Sequence, residues 1–487
     1  MQLKFLDGFR PAWTTVLLVY FCYGASAITG VAEVFFQKET LKLSPVEVAA
    51  IGFWLNLPWS MKMVVGVASD IHPLFGSRRA SYLLLGTAAT LAGYLALSTT
   101  VDTKSMYLLA ALLIAIGFMV QDVIADALSV EVAETEEEIG QIQTLGRMSL
   151  LLGGISVGYL SGVLAGALGP RAVYALASAL PLLVALSVPF SRMRRRREAA
   201  AGRAAPKPPH AISHDVKNDP LGGGKARLVI LVGLGYAALG VALEMFKLPF
   251  AQEAVLVISL VLIGLLLRRV GISRGVAIAA MVIFLFRATP GVGQGYSYWA
   301  IDKLGFDQEF LGVLAQVSSI LSLVGLLVFR KYIVEQPVSF TLFWVVIAGT
   351  ILSFPNIGLF YGLHEWLGIT ARTLAFIDTT ITAPLSQLTM VPMLILIART
   401  APAGAEATMF AIMASLMNLA LSASQLFTRY LNDRFQITQA DFSNLGMLMI
   451  TVTAIGLLPL VALPLLRRVE HAEVMRGETA TAKSTGG

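Results

Sequence analysis

The chain alternates long apolar runs with short polar ones, and the run length is the first thing it specifies. Runs of about 20 residues, enough for a helix to cross a bilayer, fall near 12–37, 45–70, 80–98, 105–131, 141–168 and 171–191. The basic run Arg192-Met193-Arg194-Arg195-Arg196-Arg197 and a Pro, Ala, Gly and Lys-rich stretch follow, lasting to about Arg227. Further runs then lie near 228–246, 250–268, 275–300, 309–329, 337–354, 372–398, 404–430 and 443–466. The pattern predicts an all-α membrane protein of 14 spans. It divides into an N-terminal six-helix half (1–191), a cytoplasmic basic linker (192–227), two extra membrane helices (228–268), a C-terminal six-helix half (275–467) and a cytoplasmic tail (468–487).

The halves echo one another. A shift of 263 residues lays Phe36-Gln37-Lys38-Glu39-Thr40 on Trp299-Ala300-Ile301-Asp302-Lys303, an aromatic helix end meeting a short charged loop each time. The same shift brings Ser44 onto Asp307, each able to cap the next helix. It also carries the run at 105–131 onto 368–394 and that at 141–168 onto 404–431. Two parallel six-helix repeats with two helices between them are the economical reading.

Composition agrees with this plan and narrows the function. Of 487 residues, 56% are hydrophobic and 14% charged, where a soluble domain has roughly 25% charged. The net charge of +6 does not point to nucleic acid, because the Lys and Arg residues gather in short loops between apolar runs. That placement orients a membrane protein with both termini cytoplasmic, expected in a bacterial inner (plasma) membrane. Cys22, the only cysteine, sits in an apolar run and can form no disulfide within the chain. No HExxH pair, GxSxG elbow or phosphate loop occurs. We therefore expect no enzyme, no cofactor and no metal site.

Charges inside spans are expensive and mark pathways or partners. Lys62 lies 17 residues into its run, about 25 Å along a helix. Asp122 and Asp126 are four apart, so they share a helix face. Two carboxylates side by side in a dry cavity do not both ionise cheaply, which is how a proton acceptor is made. Arg287 is placed at mid-span and leads into Pro290-Gly291-Val292-Gly293-Gln294-Gly295, an irregular stretch tolerated where backbone faces a cavity. Glu33 and Asp378 lie a turn or two inside the outer ends of their helices, as gates or as interfacial charges. Tyr20, Tyr23, Tyr296, Tyr298 and Trp299 are candidates to stack on a planar solute or to sit in the interfacial belt. Glu131 and the acidic run Glu134 to Glu138 are expected in solvated loop.

Three stretches carry a family resemblance. They are Pro58-Trp59-x-x-Lys62-x-x-x-Gly66-x-x-Ser69-Asp70-x-x-Pro73-x-x-Gly76-x-Arg78-Arg79-x-x-Tyr82, Asp122-x-x-x-Asp126-Ala127-Leu128-x-Val130-Glu131, and Glu406-Ala407-Thr408-x-Phe410-Ala411 with Asn418. On these the chain resembles the folate-biopterin transporter family of the major facilitator superfamily. The resemblance implies a major facilitator fold and secondary transport of a small solute, a folate or pterin-like anion, by alternating access. It also implies that Asp70 with Arg78 or Arg79 forms a cytoplasmic gating latch. Protons are the expected coupling ion and the lipid bilayer the expected surroundings, since titratable carboxylates are present and no sodium-site signature is seen. The two helices between the halves depart from the usual twelve-helix plan. A second reading, a non-transporting scaffold or assembly factor on the same fold, predicts that Lys62→Ala and Arg287→Ala are silent.

Overall fold

The computed structural model describes residues 11–75, 77–133, 135–200, 248–270, 273–385, 388, 390–400 and 406–470, with isolated positions between 231 and 243. Its named regular elements are all helices. In the first half they are α1 (Thr14–Thr40), α2 (Pro45–Ile71), α3 (Ala80–Thr99), α4 (Lys104–Val132), α5 (Glu136–Leu168) and α6, which runs in two pieces, Pro170–Ala177 and Ala179–Ala200. Then come α7 (Ala251–Val270), α8 (Arg274–Arg287), α9 (Gln294–Leu304), α10 (Gln308–Glu335), α11 (Val338–Phe360), α12 (Ala371–Thr382), α13 (Met390–Thr400), α14 (Glu406–Arg434) and α15 (Leu445–Glu470). Among the described residues, 11 helical runs are long and apolar enough to cross a membrane. The run expected at 228–246 lies mostly outside the described residues, as does the linker from 201.

Local chemistry explains the helix starts. Ser44 accepts from the Glu47 amide while the Glu47 carboxylate accepts from the Ser44 amide, a reciprocal cap with Pro45 at the first helical position of α2. Thr103, Thr135, Ser273 and Thr370 cap α4, α5, α8 and α12 in the simpler way.

Two expected spans, 275–300 and 372–398, each form as a pair of helices. Between α8 and α9, Pro290 has no amide to donate and Gly293 adopts φ 73°, open to glycine and costly for other residues. Between α12 and α13, Pro384 lies in the 3-10 turn Ala383–Leu385. The basic linker also departs from expectation at its start, where helix continues from the last span to Ala200. Arg, Glu and Ala are strong helix formers, so nothing in that run stops it.

The chain clusters into two compact units. Unit 1 contains residues 1–42, 61–251 and 307–319; unit 2 contains 43–60, 252–306 and 320–487. Helix α2 contributes to both, changing unit at its 3-10 turn Leu57–Met61, where Pro58 interrupts the α ladder.

Within unit 1, bare backbone sets the spacing of the helices. A Cβ at Gly117 of α4 would stand 2.2 Å from Thr90 Oγ1 and 2.5 Å from the Gly86 carbonyl of α3. On α1, a Cβ at Gly24 would meet the Leu150 carbonyl of α5 at 1.8 Å, and one at Gly153 of α5 would meet the Phe21 carbonyl at 2.2 Å. Small residues at helix crossings are how membrane helices gain contact without a hydrophobic drive between them. Gln121 of α4 donates to Thr90 at 2.9 Å across the first of these seams. Replacing Gly117 by Val should therefore cost about 1–3 kcal/mol through overpacking. Thermal unfolding in detergent should show a lowered midpoint, and an unchanged midpoint would contradict the packing described.

Candidate functional site: a charged cluster on the first half

The glycine seam between α1 and α5 sets these two helices side by side, and polar side chains of both reach α4. Asp122 and Asp126 project from one face of α4, as their spacing predicts, and each takes a different donor. Lys62, the first residue of α2 beyond its 3-10 turn, forms an ion pair with Asp122. Tyr20 of α1 donates its hydroxyl to Asp126. Gln143 of α5 reaches Asp126 at 3.4 Å and donates to Ser129 at 2.7 Å, so α5 joins the cluster through an amide.

Exposure separates this cluster from a buried structural pair. Within spans of almost wholly apolar sequence, the Lys62 and Asp122 side chains keep 32% and 13% of their surface, and Asp126 is exposed. Carboxylates left open at this position in a membrane helix need water or a polar ligand beside them, because lipid would leave their charge unsolvated.

One level toward the helix ends lies a second charged group. Arg79 donates from Nε to Glu131 at 2.7 Å, from one terminal nitrogen to Asp70 at 2.6 Å and from the other to the fully buried Ser69 at 2.6 Å. Burial works against the guanidinium charge, yet Glu131 and Asp70 outweigh it and hold its pKa above the usual value. The fork therefore ties the end of α2, the start of α3 and the end of α4. Arg78, named with Arg79 from the sequence, is exposed.

Glu33, Asp378 and Arg287 stand in other groups. Glu33 accepts from the Tyr107 hydroxyl at 2.6 Å and from Gln37 at 3.1 Å, within unit 1. Asp378, in unit 2, is 8% exposed and accepts from Asn356 at 2.8 Å. Arg287 ends α8, where a cation suits the helix dipole, and its Nε is buried without a hydrogen-bond partner. Among the described residues no group of three or more His, Cys, Asp or Glu side chains is placed to hold a metal ion.

Comparison with known proteins fits this geometry. The model of the BT1 family matches residues 24–484. The chain belongs to the BT1 family. It is 28% identical to a folate-biopterin transporter of Synechocystis sp., over 95% of this chain and 83% of that protein. It is 22% identical to folate transporter 2 of Plasmodium falciparum, over 98% and 92%, and 23% identical to probable folate-biopterin transporter 4 of Arabidopsis thaliana, over 92% and 93%. Among solved structures, a POT family transporter in complex with 5-aminolevulinic acid superposes with a TM-score of 0.67 at 15% identity, covering 95% of this chain and 98% of that one. A peptide transporter POT in complex with sulfate gives 0.65 at 17%, covering 95% and 96%. These structures show that the fold is the all-helical major facilitator type. Membership of the BT1 family makes the chain a membrane transporter rather than an enzyme.

Several partners in these polar groups of the BT1-family chain escaped sequence reasoning. Tyr20 was a candidate for stacking, and its role here is as donor to Asp126. Glu131, expected in solvated loop, is an ion-pair partner of Arg79. Gln143 gave no signal, since a glutamine 17 residues from Asp126 is tied to it only by the packing of α5. Gln37 did give one, standing four residues from Glu33 and hence on the same face.

The Lys62–Asp122 pair has a thermodynamic signature. Lys62→Met leaves a carboxylate without its cation, whereas Lys62→Met with Asp122→Leu removes both charges. The two sites should couple by about 1–3 kcal/mol, with the double variant losing less stability than the sum of the singles. Unfolding midpoints of the four proteins of the cycle measure this; additive losses would show that the pair does not form.

Proposed function

We propose that this BT1-family protein moves a folate or pterin-like anion across the membrane by alternating access, coupled to protons. One observation carries the reading: within spans of almost wholly apolar sequence, the Lys62–Asp122 and Tyr20–Asp126 pairs stand one helical turn apart on α4 as a partly open polar cluster on the first half. A pterin presents an amino group and a ring N–H side by side, which suits a carboxylate accepting two bonds, and a folate tail adds carboxylates that suit a cation. The names of the relatives fit the same cargo class.

Asp126, oriented by Tyr20, takes the donor edge of the ring. Lys62 exchanges Asp122 for a carboxylate of the solute, and the released Asp122 takes a proton. Solute and proton binding are then linked through one ion pair, because breaking it frees the ammonium for the solute and the carboxylate for the proton. Arg287, whose Nε is buried without a hydrogen-bond partner, is the candidate cation of unit 2. The Asp70–Arg79–Glu131 fork acts as the gate, changing partners as the cytoplasmic helix ends move. Both termini face the cytoplasm across a bacterial plasma membrane, with the basic run from Arg192 to Arg197 on the inner side.

Uptake into proteoliposomes with an imposed pH gradient tests this, using folate, a pterin and an unrelated anion. A folate or a pterin should accumulate when the outside is acid, and Lys62→Ala should slow that uptake about tenfold or more, a loss of about 1.4 kcal/mol. Flux independent of the gradient would remove the proton coupling, and equal flux of the unrelated anion would remove the cargo. Arg79→Gln should lower the maximal rate with little change in half-saturating concentration, as expected of a gate that does not touch solute. A change confined to half-saturation would place Arg79 on the solute instead.

A further inference from the structure

The second half contains a buried acid at the end of a directed hydrogen-bond chain. Tyr296 of α9 donates its hydroxyl to Asn356 Oδ1 at 2.7 Å, and the Asn356 amide donates to Asp378 Oδ2 at 2.8 Å. Asp378 lies on α12 at 8% exposure, and its Oδ1 is buried with no hydrogen-bond partner. The three residues lie in one compact unit. An ionised carboxylate with one oxygen sealed away and undonated is a costly arrangement. Protonation removes the charge, and a proton carried on Oδ2 faces Asn356.

Asn356 is suited to serve both states. An amide offers an acceptor on one side and donors on the other, and half a turn of its end exchanges them. With Asp378 ionised, the order is Tyr296 to Asn356 to Asp378, as seen. With Asp378 protonated, the acid donates to the Asn356 carbonyl and the Asn356 amide donates to the Tyr296 oxygen. The proton is gained from solvent and returned to it, with no other bond made or broken. A leucine in place of Asn356 could relay in neither direction.

The repeat gives a second, independent pointer. The shift of 263 that relates the halves carries Glu33 onto Tyr296 and Gly93 onto Asn356. In the first half the acid is on the first helix and accepts directly from Tyr107 of the fourth at 2.6 Å. Gly93 of the third helix leaves no room for a side chain there, since a Cβ would meet the Ala110 carbonyl at 2.6 Å. In the second half the phenol is on the first helix and the acid on the fourth, with an amide from the third between them. The acid sits eight residues past Thr370, where Tyr107 maps. Both halves thus link their first and fourth helices through an acid and a phenol, with the two roles exchanged.

The other charged and titratable groups around α12 are accounted for. Arg372 on the same helix donates to the Gly305 carbonyl at 2.8 Å and is six residues from Asp378, about 9 Å along the axis. On the flanking segments, His364 and Glu365 stand 3.9 Å apart, and Tyr361 lies beyond Phe360. Among the described residues Asp378 has no ion-pair partner.

We propose that Asp378, addressed by Tyr296 through Asn356, is a proton-binding site of the second half, separate from the Lys62–Asp122–Asp126 cluster, and that its loading and release belong to the transport cycle. This rests on the transporter reading above but not on the identity of the cargo. The test begins without solute. Infrared difference spectra of the full chain in lipid nanodiscs, recorded across about pH 4 to 9, should contain a protonated-carboxyl stretch that is missing in Asp378→Asn. Tyr296→Phe keeps the acid and removes the hydroxyl that fixes Asn356, so the band should persist and its half-developed point should move to higher pH, by up to about one unit. In proteoliposomes, the ratio of solute uptake with and without the pH gradient should fall clearly below the wild-type value in Asp378→Asn, the remaining dependence being that of the Asp122 proton. Identical infrared spectra for wild type and Asp378→Asn would overturn the proposal, as would a wild-type gradient ratio in that variant. If the variant carries nothing under either condition, the infrared comparison decides. If wild-type protein carries no folate or pterin but the band is present, the cargo reading fails and the proton site stands.

Discussion

Ionised groups in an apolar bundle must find partners, and that requirement organises the first half. Lys62, Asp122 and Asp126 occupy helices whose other residues are suited to hydrocarbon, where an isolated charge is costly. The structure meets the cost with neighbours rather than with burial alone: an ammonium for Asp122, a phenol for Asp126 and an amide from α5. Gly24 and Gly153 hold α1, the helix of the phenol, against α5, the helix of the amide, and Gly117 seats α4 against α3. Packing by absent side chains thus positions the charged ones. A cluster held by ion pairs and hydrogen bonds is also one whose members can change partners, which a packed apolar core cannot do.

Irregular helix geometry recurs where chemistry is concentrated. The 3-10 turn Leu57–Met61 directly precedes Lys62 in α2, and the same helix is shared between the two compact units. Helix α1 contains a 3-10 turn at Ser26–Thr29 and a π turn at Phe36–Thr40, on either side of Glu33. The break between α8 and α9 lies between Arg287 and Tyr296, and Asp378 stands just before the turn that contains Pro384. Turns of this kind free backbone groups and permit local adjustment. In the alternating-access cycle proposed above, they are the places where the change would be absorbed.

The parts legible from sequence were those encoded locally. Apolar run length located the described spans to within a few residues, and Asp122 and Asp126 were placed on one face by spacing alone. Lys62 stood out because a lysine amid Met, Val and Gly needs explanation wherever it occurs. What sequence could not supply was partnership across long separations. Tyr20 and Asp126 are 106 residues apart and Asn356 and Asp378 are 22 apart, and no periodicity connects such pairs. Two errors had local causes. Glu131 looked like loop because its neighbours are acidic, whereas the deciding group, Arg79, arrives from another helix. The linker was expected to begin at Arg192, where the apolar run ends, yet Arg, Glu and Ala propagate the helix to Ala200 without an apolar stripe.

The central claim is that Lys62 leaves Asp122 to contact a charge on the solute. It is tested most directly by equilibrium binding of two ligands that differ only in that charge, a folate and its neutral tail amide, to wild-type protein and to Lys62→Gln. If Lys62 meets the tail, removing the charge from the ligand and removing it from the protein should cost about the same, and doing both should cost little more than either, giving strong coupling in the cycle. If Lys62 is only a lock between helices, the substitution will weaken both ligands equally, and the account of this site would be wrong.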